Sequence, residues 1–324
     1  MALTDQGMKL GLRALNAFAG LELLDRIGVR EPAERLIHRA ARDGTRTATT
    51  AGRTFAKATK RARPARLGST KPSGLFDLTP SDEQQMLRDS FRSFAAERLR
   101  PAASAADADS AAPAELLGQA SELGITMLGV PEDLGGVFDE SSALTSVLVA
   151  ETLAHGDMSL AVAALAPAAV STALGLWGDA DQQAQYLPAF VGEDVPAAAL
   201  ALLEPRPLFD PLDLQTTARE VDGGWALDGV KALVPRAAEA ELFVVAAQVE
   251  GRGPALFVVE SGTDGVLTEP DPAMGLRAAA TGRLVLEDAR LPQGAILAEG
   301  APEAYRDCVQ RARLAWCAVA VGTA

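Results

Sequence analysis

The sequence predicts an α+β fold: an N-terminal all-α bundle, a middle antiparallel β-barrel-like domain, and the start of a C-terminal α bundle. Three observations carry this. Between residues 200 and 297 lie at least four short runs that alternate apolar and polar residues or are rich in Val, Leu and Phe, separated by Gly and Pro turns. Before this stretch the apolar residues recur at helical spacing, and from residue 301 they do so again. The expected divisions are a basic extension and linker at 1–74, a helical domain at 75–197, a β domain at 198–300 and a first C-terminal helix at 301–324.

A chain of 324 residues is long enough for two or more domains with a sizeable core. With 48% apolar and 23% charged residues the composition is that of a soluble globular protein. No run of about 18 uncharged apolar residues is read as a bilayer span. No early apolar segment precedes a small-residue cleavage site, so the expected location is the cytoplasm. Cys308 and Cys317 stand nine residues apart in one predicted helix and point to opposite faces, which excludes an intrahelical disulfide; both are read as small core residues. His38 and His155 are too few and too far apart for a metal cluster. The net charge of -13 hides a division, because residues 1–74 carry 15 Lys and Arg against 6 Asp and Glu, and the remainder 15 against 37.

Taken in order, residues 8–27 place Met8, Leu12, Leu15, Phe18 or Ala19, and Leu23 on one helical stripe. Such a stripe needs a partner: the protein's own body, a second subunit, or a membrane surface helped by the basic residues that follow. Residues 44–74 hold no acid and many Thr, Ala, Arg and Lys, the composition of a linker. Phe55 is its one aromatic, so stacking residues are lacking and nucleic acid is not an expected partner.

The folded body is expected from Phe76. Thr79 reads as an N-cap with Pro80 at the first helical position, and the helix buries Met86, Leu87, Phe91, Phe94 and Leu99 before stopping at Pro101. Residues 102–112 read as a connector, and a second helix at about 113–123 ends at Gly124. The phrase Gly129-Val130-Pro131-Glu132-Asp133-Leu134-Gly135-Gly136 reads as a turn whose double glycine permits positive φ. Residues 142–153 and the almost wholly apolar 158–176 follow as helices, then a last helix beginning after Trp177-Gly178-Asp179. In the β region, 215–221 and 225–229 form a hairpin about Asp222-Gly223-Gly224, with further strands at 241–248, 255–260 and 281–289. A terminal helix carrying Tyr305, Val309, Leu314, Trp316, Val319 and Val321 is read as apolar on all sides and therefore buried.

The Val130-to-Gly136 turn, Leu203-Glu204-Pro205, Gly229-Val230-Lys231, Met274-Gly275-Leu276-Arg277, the exit at Leu291-Pro292 and Arg313-Leu314 together resemble the acyl-CoA dehydrogenase family of flavoproteins over residues 76–324. The resemblance stops at the start of that family's C-terminal helical domain. It implies α,β-dehydrogenation of an acyl-CoA thioester: a carboxylate removes the α proton and FAD takes the β hydrogen as hydride. It also implies an electron-transfer flavoprotein as acceptor and a homo- or hetero-oligomer. Residue by residue, the carry-over is altered. In most of the family the base is a Glu far into the C-terminal domain, and in a minority it stands just before the Arg-Leu pair, here Ala312, so no catalytic residue is assigned. The cofactor-binding positions are Leu203, where the family has Thr, together with Asp210, Leu233, Val234 and Pro235; the last has no N–H to donate. Phe209, within a Gly-Ser-Asp phrase that here reads Leu208-Phe209-Asp210, and Arg277 are the implied substrate contacts, Arg277 being read also as a holder of domain or subunit contacts. These changes raise a second expectation, a flavin-free structural or regulatory subunit of an acyl-CoA dehydrogenase-type complex.

Overall fold

The computed structural model describes residues 78–136, 142–192, 194–299 and 301–324. The expected helix at 8–27 and the basic linker lie outside them. The first described helix, α1 (Asp82–Phe94), is capped by Ser81 rather than Thr79. The Ser81 hydroxyl accepts from the Gln84 N–H at 3.2 Å, and the Ser81 N–H donates to Gln84 Oε1 at 3.0 Å. This reciprocal pair needs Gln or Glu three residues on, and a cap at Thr79 would meet the shorter Asp82 instead. Ser81→Ala is expected to cost about 1 kcal/mol, readable as a lower urea midpoint.

Pro101 does not end the helical course. A π-turn, Ala95–Leu99, is followed directly by α2 (Arg100–Asp109), so most of the expected connector is helix. A proline inside a regular α-helix clashes with the carbonyl four residues back; the wider turn lets Pro101 enter as though at a helix start. Ser110, at φ +54°, closes α2. Then come α3 (Ala114–Glu122), 3-10 turns at Ile125–Gly129 and Glu132–Leu134, and Gly135 at φ +92°, in keeping with the expected turn.

Two helices form the centre of the helical part: α4 (Ala143–Gly156), with Ser142 as N-cap, and α5 (Met158–Trp177), whose cap Asp157 accepts from the Leu160 N–H at 2.8 Å. Contrary to the sequence reading, α5 is uncharged for 20 residues and long and apolar enough to cross a bilayer. Most of it is buried by the rest of the chain, and an all-round buried helix has the composition of a span. The turn Ile125–Gly129 lies against it so closely that a Cβ on Gly129 would come within 2.2 Å of the Thr172 backbone, and one on Gly175 within 2.0 Å of the Gly129 carbonyl. Helix α6 (Ala180–Tyr186) completes this part, with an Asp179–Gln182 capping box.

The β part comprises β1 (Ala198–Ala201), β2 (Thr217–Val221), β3 (Gly224–Val234), β4 (Leu242–Val249), β5 (Gly253–Glu260), β6 (Val266–Pro270), β7 (Gly282–Pro292) and β8 (Ile296–Leu297). They form one open, roughly barrel-like sheet in the order β6-β7-β3-β2-β4-β5-β8, with β1 also on β4. Most pairings are antiparallel as expected, but β1 and β2 each run parallel to β4. The β2–β3 hairpin turns on Asp222-Gly223. Strand β3 runs to Val234, beyond the expected end at 229, because register shifts after Leu227 and after Lys231 let it bend with β7. Under the sheet, Trp225 meets Phe257 edge-on at 5.3 Å between ring centres.

Helix α7 (Pro302–Thr323) packs chiefly along α4. Tyr305, Cys308, Val309, Ala318 and Val319 are buried, whereas Leu314, Trp316, Cys317 and Val321 are exposed. The helix is therefore covered on one side, and Cys317 is not a core residue. Burial pushes the Cys308 thiol up to about 12, with Asp307 adding to the effect.

Candidate functional site

The strand-to-loop corner Leu202-Leu203-Glu204 is tied to β3 by a buried charge pair. Lys231 Nζ donates to Glu204 Oε1 at 3.0 Å and to the Leu202 carbonyl at 3.3 Å, with the two side chains 0% and 2% exposed. Glu204 also accepts from the backbone N–H groups of Gln215 and Thr216, each at 2.8 Å. Burial would raise the Glu204 carboxyl, but these two amides and the Lys231 ammonium outweigh it and keep its pKa below the ordinary value. Glu204 is thus the acceptor that joins the corner, the approach to β2, and β3. The Ala232 N–H donates to the Leu203 carbonyl at 2.9 Å and completes the tie.

This corner forms one wall of an apolar groove of about 350 Å³ between the β part, α5 and α7. Leu203, Phe209, Leu233, Pro235 and Ala312 all line it. Leu233 stands at φ +52° and half exposed, turned out of β3 by the second register shift. Phe209 is braced by Arg206, whose guanidinium lies 5.5 Å from the ring centre and is itself held by Asp213. From the helical side Val162, Leu165 and Ala169 of α5 and Trp316 of α7 face the groove. The sequence does not single these out, because α5 is apolar all round and its periodicity has no face to mark.

Three expected site residues lie elsewhere. Val234 is 1% exposed and packs in the core under the sheet. Asp210 is exposed and its carboxylate accepts from the Leu212 N–H at 2.9 Å, a local turn bond. Arg277 does not line the groove; it donates to the Ser110 hydroxyl at 3.0 Å, joining the 3-10 turn Arg277–Ala279 to the end of α2. Arg277 thus joins the β and helical parts, a domain contact also expected of it from the sequence.

A flavin ring presents flat apolar faces and a polar edge of nitrogen and oxygen atoms. Among the described residues lining the groove, Arg313 is the one charged side chain, and none bears a hydroxyl, amide or carboxylate. Pro235 has no N–H, and the Leu203 carbonyl already accepts from Ala232. These residues fit the faces of the ring and do not fit its edge. The same lining suits an extended apolar group with one polar end.

The comparisons with known proteins agree with this architecture. The model of the acyl-CoA dehydrogenase N-terminal domain matches residues 81–194, and that of the middle domain residues 199–289. Benzylmalonyl-CoA dehydrogenase of Aromatoleum aromaticum is 32% identical over 257 residues, 77% of this chain and 66% of its own. The structure of butyryl-CoA dehydrogenase from Megasphaera elsdenii superposes with a TM-score of 0.68 at 26% identity, covering 76% of this chain and 67% of that one. An acyl-CoA dehydrogenase from Bacillus anthracis, solved in complex with FAD, does so with a TM-score of 0.65 at 29% identity, covering 75% of this chain and 42% of that one. The chain spans between about a third and two thirds of the length of the curated relatives it matches. With both family domains matched in sequence order, and the helical and sheet parts arranged as in these structures, the chain belongs to the acyl-CoA dehydrogenase family.

Proposed function

We propose that the groove between the β part and helices α5 and α7 holds the acyl portion of an acyl-CoA thioester. The observation that carries this is its lining: apolar side chains throughout, with Arg313 as the single charged group. Transfer of an alkyl chain from water to such a surface is favourable by about 0.8 kcal/mol per buried CH₂. Residues that bind and orient the chain are Leu203, Phe209, Leu233 and Trp316, with Lys231 and Glu204 holding the corner on which Leu203 stands.

Two chemical readings follow. Dehydrogenation with FAD is favoured by the relatives, which include benzylmalonyl-CoA and butyryl-CoA dehydrogenases and a structure with FAD. It requires a base and donors to the flavin edge from residues other than the groove's, since Ala312 carries no proton acceptor. An electron-transfer flavoprotein would then be the electron acceptor. A flavin-free subunit is favoured by Leu203, Phe209 and Pro235, which remove polar contacts from the corner.

One preparation tests both. The purified chain is incubated with FAD, gel-filtered, read between about 350 and 500 nm, and titrated calorimetrically with butyryl-CoA and octanoyl-CoA. Octanoyl-CoA is expected to bind more tightly than butyryl-CoA. A retained flavin band supports the dehydrogenase, a colourless protein that binds thioester supports the subunit, and no thioester binding removes both.

A further inference from the structure

We propose that a cavity apart from the groove binds an uncharged small molecule of two or three rings and, resting on the acyl-thioester reading, that its occupant acts on the groove through Tyr305. The cavity, about 460 Å³, lies between β5 and the start of α7. It opens because β8 leaves β5 early. Strand β8 is Ile296 and Leu297 alone, paired opposite Phe257 and Leu256. Ala298, at φ +47°, then turns the chain away, and its N–H donates to the Trp177 carbonyl at 2.8 Å. Gly253, Pro254 and Ala255 are left lining one side of this fork, and Ala298, Ala301 and Ala304 the other. Side chains this small do not fill it.

The lining decides the class of occupant. Its floor is apolar and buried, at Val249, Leu256 and Leu297. Among the described residues that line it, Arg252 and Glu299 carry the charge, and both are half exposed. The Arg252 guanidinium is already engaged: Nη2 donates to Glu220 at 2.9 Å, Nη1 lies 3.8 Å from Glu299, and the group sits 5.7 Å from the ring centre of Trp225. One cation against two carboxylates leaves this rim acidic, so it disfavours an anion, the phosphates of a CoA thioester included. An apolar cavity of about 150 Å³ takes up benzene, and a space about three times as large admits two or three rings.

Tyr305 joins this cavity to the groove. It lines the cavity, and its hydroxyl donates to the Pro211 carbonyl. Burial raises its pKa above the ordinary tyrosine value, so the hydroxyl keeps its proton and remains a donor. Pro211 in turn lines the groove beside Phe209. An occupant packed against Tyr305 removes the space into which the ring can turn, and so holds the loop that carries Phe209 and Pro211. By linkage, each ligand then tightens the binding of the other.

The test titrates two fluorescent probes into the full chain: N-phenyl-1-naphthylamine, which is uncharged, and 1-anilinonaphthalene-8-sulfonate, the same skeleton with a sulfonate added. The uncharged probe is expected to bind at least about tenfold more tightly than the sulfonate. Ala304→Leu, which fills the cavity, is expected to weaken the uncharged probe by at least about tenfold. Ala301→Leu, at the half-buried cap position of the same helix, gives the same reading should Ala304→Leu fail to fold. With the groove saturated by octanoyl-CoA, the probe is expected to bind at least about fivefold more tightly. In Tyr305→Phe, which keeps the ring and loses the hydroxyl, that gain is expected to vanish. Displacement of the probe by octanoyl-CoA, or equal affinity in the wild type and both filled variants, overturns the cavity site. A sulfonate that binds as tightly overturns the uncharged class. A gain absent from the wild type, or kept in Tyr305→Phe, overturns the link through Tyr305. If octanoyl-CoA binds none of these proteins, the acyl-thioester reading falls and the link with it, while the probe titrations still decide the cavity.

Discussion

Lys231→Met is expected to destabilise the folded chain by about 3 kcal/mol, the lower end of the range for breaking a buried ion pair from one side. The loss does not come from the ammonium, whose own burial is unfavourable: burial pushes Lys231 down to about 8, against the pull of Glu204. It comes from Glu204, left 2% exposed with the Gln215 and Thr216 amides at 2.8 Å and the Arg206 guanidinium 4.0 Å away. Those two amides keep the cost from being larger. Adding Glu204→Gln to Lys231→Met removes the stranded charge while leaving an oxygen for the amides, and is expected to recover most of the loss. Urea unfolding at pH 7 of the two single variants and the double decides this; a double variant no better than Lys231→Met refutes the stranded-charge account.

The same pair has a pH signature. Between about 8 and the ordinary lysine value of 10.5, the unfolded chain holds a proton on Lys231 that the folded chain has released. Stability from this group therefore rises with pH across that window and is lowest below it. Glu204, held below its ordinary value, contributes stability that is full above the unfolded carboxylate pKa and is lost as pH falls through its folded value. Comparing urea midpoints at pH 7.5 and 10, the wild type is expected to gain at this group and Lys231→Met to lack that gain.

Gly129→Ala is expected to cost about 3 kcal/mol, at the severe end of overpacking, with a melting temperature lower by on the order of 10 °C. The new methyl group would lie 2.2 Å from the Cα and N of Thr172, and backbone on a helix buried on most sides cannot step aside as a side-chain tip can. Gly118→Ala is the contrasting substitution. Gly118 lies within α3, nothing approaches its added Cβ within 4 Å, and helix propensity is expected to raise stability by up to about 1 kcal/mol. A Gly129→Ala protein that melts with the wild type would show that the turn Ile125–Gly129 is not held against α5 as described.

The order of helical part, sheet and terminal helix was legible because hydrophobic period is a local property. The short Val-, Phe- and Leu-containing apolar runs in 242–249 and 253–260 and the all-apolar 158–177 each report their own element. Boundaries were less legible where one residue type supports two outcomes. Pro101 stops a regular helix but is accommodated after a π-turn, and Thr79 and Ser81 are both caps by type, while only Ser81 has Gln84 at the reciprocal position. The short β1 and β8 and the mostly exposed β6 carry too little pattern to register.

The sequence by itself determined the family phrases, the positions at which Leu203, Phe209, Leu233 and Pro235 stand, and Ala312 where a base would be sought. Only the tertiary structure decided that these five meet in one groove, that Val234, Asp210 and Arg277 do not join them, and that Glu204 and Lys231 form a buried pair beneath the corner. The physical reason is that residue type and spacing fix the choices within an element. Which side chains share a space depends on register shifts in β3 and on the approach of α5 and α7, and those contacts join residues more than a hundred positions apart.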